Sequence, residues 1–154
     1  FFHLKEQFQK RLVKKEYLTL VWGNIKKDSG EINIPLTYSK KSPFRRKISD
    51  FKSPKKSLSA ITYYKVIRRF KDFALLKVIP KTGRTHQIRV HLASLGFPVV
   101  GDKEYGPKNR RLPFTLNRQF LHATKMSFLT IDDALLEIEA PLPEDLENVL
   151  KLLR

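Results

Sequence analysis

Lys81-Thr82-Gly83-Arg84-Thr85-His86-Gln87-Ile88-Arg89-Val90-His91-Leu92 is the most informative stretch of this chain. It gathers two arginines, two histidines and two threonines around a helix start, then runs on to Gly101-Asp102 and Tyr105-Gly106. Pro80 ends the preceding strand, and Thr85 is the expected cap of a helix whose Ile88, Leu92 and Leu95 face inward. Gly96 followed by Pro98 supplies the stop. His86, Arg89 and Val90 share the other side of that helix. A polar helix start of this kind can hold an anion or a carboxylate. Arg89, fixed in the second turn by its packed neighbours, can pair two-pronged with a buried carboxylate and keep it ionised. The same residues also read as surface charges, with Arg84 and Arg89 meeting phosphates only.

Outward from this stretch the pattern is that of a sheet with helices. Leu4, Phe8 and Leu12 recur at four-residue steps, so residues 1–13 read as the end of a helix with that stripe inward. Tyr17 to Trp22 is a strand closed by Gly23, and Asp28-Ser29-Gly30 marks a turn. Glu31 to Thr37 reads as one strand with Ile32, Ile34 and Leu36 inward. Residues 61–70 and 73–79 form a hairpin around Lys71-Asp72. Residues 107–119 read as an irregular basic loop. Residues 121–128 and 135–140 are two more strands, the second with Leu136 and Ile138 inward. A last helix starts near Pro143, its acidic first turn matched to the helix dipole. The expected fold is α+β, a mixed but mostly antiparallel sheet with flanking helices.

Charge narrows the partners. Residues 1–125 carry 29 basic and 8 acidic side chains, whereas residues 126–154 carry 2 and 7. An excess this large and this uneven points to a polyanion, because each neutralised phosphate releases counterions. Its densest part is residues 39–58, read as a basic loop or short exposed hairpin within the domain. No run approaches the ~18 apolar residues of a membrane span, and a membrane surface is disfavoured because the cations do not lie on one amphipathic helix. The absence of cysteine removes disulfides and thiolate metal sites. His86 and His91 stand five apart, on different helix faces with no carboxylate beside them, so no metal is expected. Gly83 alone is not a phosphate loop, and no nucleophile elbow is present.

The string Thr82–Gly106, TGRTHQIRVHLASLGFPVVGDKEYG, resembles the signature of RNA pseudouridine synthases of the ribosomal large subunit type, the RluA family. Further strings agree in the family's order: Lys15 to Gly23, Ala60 to Val66, Leu121-His122-Ala123 and Ala140-Pro141-Leu142-Pro143. The resemblance covers nearly the whole chain. It implies the synthase catalytic-domain fold over residues 1–154, incomplete at its N-terminal side, and isomerisation of uridine to pseudouridine in rRNA or tRNA without cofactor or metal. Tyr17 then corresponds to the tyrosine that stacks on the flipped uracil and takes part in removing its C5 proton. Arg89 corresponds to the arginine that pairs with the catalytic aspartate. Ile88 would line the uracil pocket, with Lys15, Arg84, Thr85 and His86 around the cleft. Arg45, Arg46, Lys47 and Lys81 are the candidate RNA contacts.

One element of the resemblance is missing. The family's aspartate lies in H-R-L-D-x-x-T-S-G, and no such string occurs here. Asp102 belongs to the G-D-x-x-Y-G landmark, which in the family is structural. Since the chain opens on Phe1 in a helix, the aspartate is expected upstream, which would leave residues 1–154 inactive by themselves. The alternatives are an inactive RNA clamp or assembly factor on this fold and, more remotely, a basic structural protein of a ribonucleoprotein. The protein is expected to be a monomer in the cytoplasm, with an organelle as the other setting.

Overall fold

The computed structural model describes residues 2–39, 42–49 and 57–153. Lysines 40, 41, 52, 55 and 56 of the basic segment lie outside them, as does Asp50. The elements run α1 (Phe2–Gln9), β1 (Lys14–Trp22), β2 (Ser29–Asn33), β3 (Leu36–Ser39), β4 (Ser42–Ile48), β5 (Ile61–Arg69), β6 (Phe73–Pro80), α2 (Gln87–Ser94), β7 (Leu121–Leu129), β8 (Leu135–Glu139) and α3 (Glu144–Leu152). Six strands form one sheet in the order β2-β5-β6-β1-β7-β8, and β3 and β4 form a separate hairpin. Every described strand pairing is antiparallel. The architecture is α+β.

The central strands alternate apolar residues on both faces, which is why the sheet can be covered twice. Val21, Ala74, Leu76 and Val78 pack with Ile88 and Leu92 of α2. Leu20, Trp22, Phe73 and Leu75 pack on the opposite face with Leu146 and Val149 of α3. At the end of α2, Gly96 adopts φ +85° and Leu95 is already 38% exposed, so the inward stripe stops at Leu92. No helix among the described residues is long and apolar enough to cross a membrane.

Four local expectations change. The α1 stripe does not face inward: Phe8 and Leu12 are exposed, and the buried residue is Gln7. Gln7 pairs through both amide atoms with the Leu129 backbone, at 2.7 and 2.8 Å, so a polar contact docks this helix. Residues 31–37 are not one strand. Pro35 has no N–H to continue a ladder, and the chain leaves the main sheet there to enter the β3–β4 hairpin. In β8, Leu136 and Ile138 are 41% and 51% exposed, because β8 is an edge strand and no described element covers it.

The basic segment is the fourth. Its described part is a hairpin held against α2 rather than an exposed one: Leu36 and Ile48 pack with Ala60, Val90 and Tyr105. Arg46 is 8% exposed, with its guanidinium 3.6 Å above the Tyr38 ring.

Candidate active site

Two features aim the chain at one cleft. The first is an irregularity between Glu16 and Tyr17, where β1 shifts register against β7 and Tyr17 comes to lie opposite Ala123. The extra residue is Thr124 of β7, and it steps the pairing by one so that β1 meets β7 in a new register from Tyr17 onward. The second is the turn between β6 and α2. Thr85 does not cap the helix; the N-cap is His86, left-handed at φ 55°, with no side-chain capping bond.

Gln87 carries out the fastening. Its Oε1 accepts from the Thr82 hydroxyl and the Arg84 amide, at 2.7 and 3.0 Å. Its Nε2 donates to the Ile61 carbonyl and the Thr62 hydroxyl. Thr82 in turn accepts from the Ile61 amide. All of these side chains are buried, so the turn, α2 and β5 are locked together by a satisfied polar network. Gln87 is not among the residues singled out from the sequence; its signal there is a glutamine on the inward face of a short helix, where an apolar residue would otherwise stand.

His91, one turn on, completes this wall. Its Nδ1 lies 2.9 Å from the Thr62 hydroxyl and its Nε2 2.9 Å from the Ile34 carbonyl. The carbonyl can only accept, so Nε2 carries the proton. Thr62 accepts from Gln87 and donates to Nδ1. Burial pushes the His91 pKa down, against a smaller upward pull from the Ile34 carbonyl.

Between β1 and α2 opens a cavity of about 310 Å³, the low end of the ligand-pocket range. Tyr17, Ile88 and Arg89 line it together with Lys15, Arg84 and His86. Thr85 does not line it. Lys81 faces a neighbouring cavity, and Arg45, Arg46 and Lys47 lie on β4. No described carboxylate lines the cavity. Burial raises the Tyr17 phenol above its ordinary value, so it is protonated near neutral pH. Among the described residues no cluster of three His, Asp or Glu side chains could hold a metal.

Arg89 is bound within the chain, and its partner is Asp102. Its Nε and Nη2 donate to the two Asp102 oxygens at 2.7 Å each. Nη2 also reaches Glu104 at 3.2 Å. Nη1 has no hydrogen-bond partner among the described residues. Asp102 additionally accepts from the Glu104 and Tyr105 amides, and its side chain is fully buried. Burial alone would raise its pKa; the Arg89 bonds and the two amides outweigh that and hold it below the usual carboxylate range. Arg89 is raised, first by its bond to Asp102. An aspartate so enclosed cannot approach a ligand, and it serves to fix Arg89.

The glycines around Asp102 follow from this. Gly101 has φ +75°, and a Cβ there would strike the Arg118 carbonyl; a Cβ on Gly106 would strike the carbonyl of Asp102 itself. The Gly-Asp…Tyr-Gly spacing is thus what one tight, self-capped turn requires.

The pair extends to the hairpin. Glu104 accepts from Arg45 at 2.6 Å and lies 3.4 Å from His86 Nδ1. The Tyr105 hydroxyl accepts from the Arg46 amide and sits 3.1 Å from His86 Nδ1. Arg45 and Arg46 are therefore held by protein contacts, and their distribution along the sequence did not reveal it. The His86 pKa is lowered, first by burial and then by Arg89, with Glu104 and Asp102 opposing.

The model of RNA pseudouridylate synthases matches residues 2–94. The chain is 38% identical to the RNA pseudouridine synthase YhcT of Bacillus subtilis over 149 residues, 95% of this chain and 46% of that protein. It is 40% identical to the dual-specificity RNA pseudouridine synthase RluA of Pasteurella multocida over 126 residues, 81% of this chain and 55% of that protein. Among solved structures, human RNA pseudouridylate synthase domain containing 1 superposes with a TM-score of 0.80 at 26% identity, covering 99% of this chain and 70% of that one. The chain spans about half the length of the curated relatives it matches. With this sequence likeness added to the sheet and its cleft, the chain belongs to the RNA pseudouridine synthase family, in its RluA group.

Proposed function

We propose that the intact protein converts uridines in structured RNA, ribosomal or transfer, to pseudouridine, with residues 1–154 supplying one wall of the active site. The observation that carries this is the meeting of Tyr17, Ile88 and Arg89 in a cation-rimmed cavity with no described carboxylate in its lining. The N1–C1′ bond of the uridine breaks, the uracil turns, and a C5–C1′ bond forms. C5 gives up a proton and N1 gains one, so the isomerisation needs no oxidant or co-reactant.

Tyr17 offers its ring as a platform under the extruded base, and stacking of this kind offsets the few kcal/mol of unstacking. A phenol that rests protonated suits stacking better than it suits a standing base. Asp102 occupies Nε and Nη2 of Arg89, and Nη1, without a partner among the described residues, is the group left to hold an incoming carboxylate ionised at the cavity. That carboxylate comes from a segment outside residues 1–154, so these residues alone do not turn over. The setting is the cytoplasm.

The test is to incubate the intact protein, and residues 1–154 alone, with ribosomal and transfer RNA transcripts and to map pseudouridine. Product from the intact protein and none from residues 1–154 is expected, with RNA binding weakened by Tyr17→Ala by about 1–3 kcal/mol. Product from residues 1–154 alone would overturn the need for an outside carboxylate. RNA binding by the intact protein with no product on any transcript would leave the clamp in place of the enzyme.

A further inference from the structure

We infer that, on one side of the Tyr17 cavity, the RNA backbone follows a phosphate-binding groove that ends at Arg11. This rests on the function proposed above and adds the path of the backbone to it.

A second cavity of about 280 Å³ adjoins the first and shares Lys15, Gly83 and Arg84 with it. It extends past Lys81 to Arg11, at the end of α1. Neither cavity has an acidic residue in its lining. Lys10, Arg45, Arg69, Lys77, Arg118 and Lys125 each pair with a carboxylate elsewhere on the molecule. Arg11, Lys15, Lys81 and Arg84 pair with none among the described residues. Lys15 lies 5.4 Å from the Phe8 ring centroid, and Arg84 Nε reaches only the Ser59 carbonyl at 3.2 Å. Four uncompensated cations along one continuous groove constitute a site for successive phosphates.

Arg11 carries a second sign. It has φ 60° just beyond α1, the left-handed position that helix ends ordinarily give to glycine. An arginine kept there at a conformational cost, lining a groove, fits a role in binding better than one in folding.

The opposite exit differs. A third cavity meets the first at Arg89 and Gln119. Its lining includes Glu104, and its Arg118 is held by Asp145 at 2.7 Å. Lys103 is the cation there that no carboxylate holds among the described residues. That exit offers a phosphate little net attraction.

The experiment measures affinity against salt for the intact protein on a transcript it modifies, with Arg11→Gly, Lys81→Ala and Lys103→Ala. Each lost phosphate contact should flatten the slope of log K on log salt by about 0.7–0.9. Arg11→Gly and Lys81→Ala are expected to do so, Lys103→Ala to leave the slope unchanged. Arg11→Gly should also keep or raise the thermal midpoint, since glycine relieves the left-handed strain; a structural role would lower it. A wild-type slope in Arg11→Gly overturns the groove, and equal flattening by Lys103→Ala overturns its one-sidedness. Both results are legible while the wild type still makes pseudouridine, so they stand apart from failure of the proposed function. Absence of product on every transcript removes that function and the groove together.

Discussion

Arg89→Ala tests the internal ion pair most directly. It strips both prongs from Asp102, whose side chain is fully buried, and leaves that carboxylate only the Glu104 and Tyr105 amides. Breaking a buried pair from one side costs about 3–5 kcal/mol; the remaining amides put the expected loss near the low end, about 3 kcal/mol. At roughly 2–4 °C per kcal/mol for a domain of this size, the midpoint should fall by about 6–12 °C. Urea unfolding at about pH 7 and about pH 4 supplies the check. In the wild type the folded pKa of Asp102 is depressed, so the pair's stabilisation is present above the unfolded value near 3.9 and lost as pH falls through the folded one. In the variant burial is opposed by the two amides alone, so that pKa moves up from its wild-type position and acid relieves the stranded charge more readily. The gap between the two proteins should therefore narrow on acidification, and Asp102→Asn should restore much of the loss in the double variant. A loss below about 1 kcal/mol would refute the assignment of Arg89 as Asp102's structural partner, as would a gap equal at both pH values. Turnover should vanish with little loss of RNA affinity when measured well below the variant's midpoint; unchanged turnover would remove Arg89 from the chemistry.

Three other outcomes follow from the geometry. Gly101→Ala should destabilise more than Gly96→Ala: both meet the left-handed penalty of about 1–2 kcal/mol, but Gly96 has open space where Gly101 meets the Arg118 backbone, and equal midpoints would refute the tight-turn argument. The depressed pKa of His91 means its contribution is whole above the unfolded value near 6.5 and is lost as pH falls through the folded one. Unfolding free energy should thus decline below that value by up to about 1.4 kcal/mol per pH unit for this group, and His91→Asn should flatten the decline; an unaltered slope would count against it. Arg46→Met should be neutral or stabilising in urea, because Arg46 is buried and its Nη1 has no partner among the described residues, and it should leave the RNA salt slope unchanged; a flatter slope would return Arg46 to the RNA contacts.

What the sequence made legible was whatever depends on neighbours along the chain. Residue type marked β1 and β6 as strands, the Lys71-Asp72 turn paired β5 with β6, and Gly96 ended α2, all from local composition and turn chemistry. The Arg89 neighbourhood was legible as a place for a carboxylate, yet not as one already supplied, because Asp102 arrives thirteen residues later through a loop whose path no periodicity encodes. Gln7 and Gln87 were missed for the same reason in reverse: polar residues break a pattern, and what they bond to lies 122 and 26 residues away. Their burial is tolerable because Gln87 uses both hydrogens and both acceptor sites of its amide and Gln7 bonds through both its nitrogen and its oxygen, a condition that exists in three dimensions alone. A helix fastened by Gln87, with Arg89 anchored through Nε and Nη2, is held in place by contacts within the chain. For the chemistry proposed above, holding Arg89 at the cavity in advance spends ordering entropy during folding rather than at each turnover.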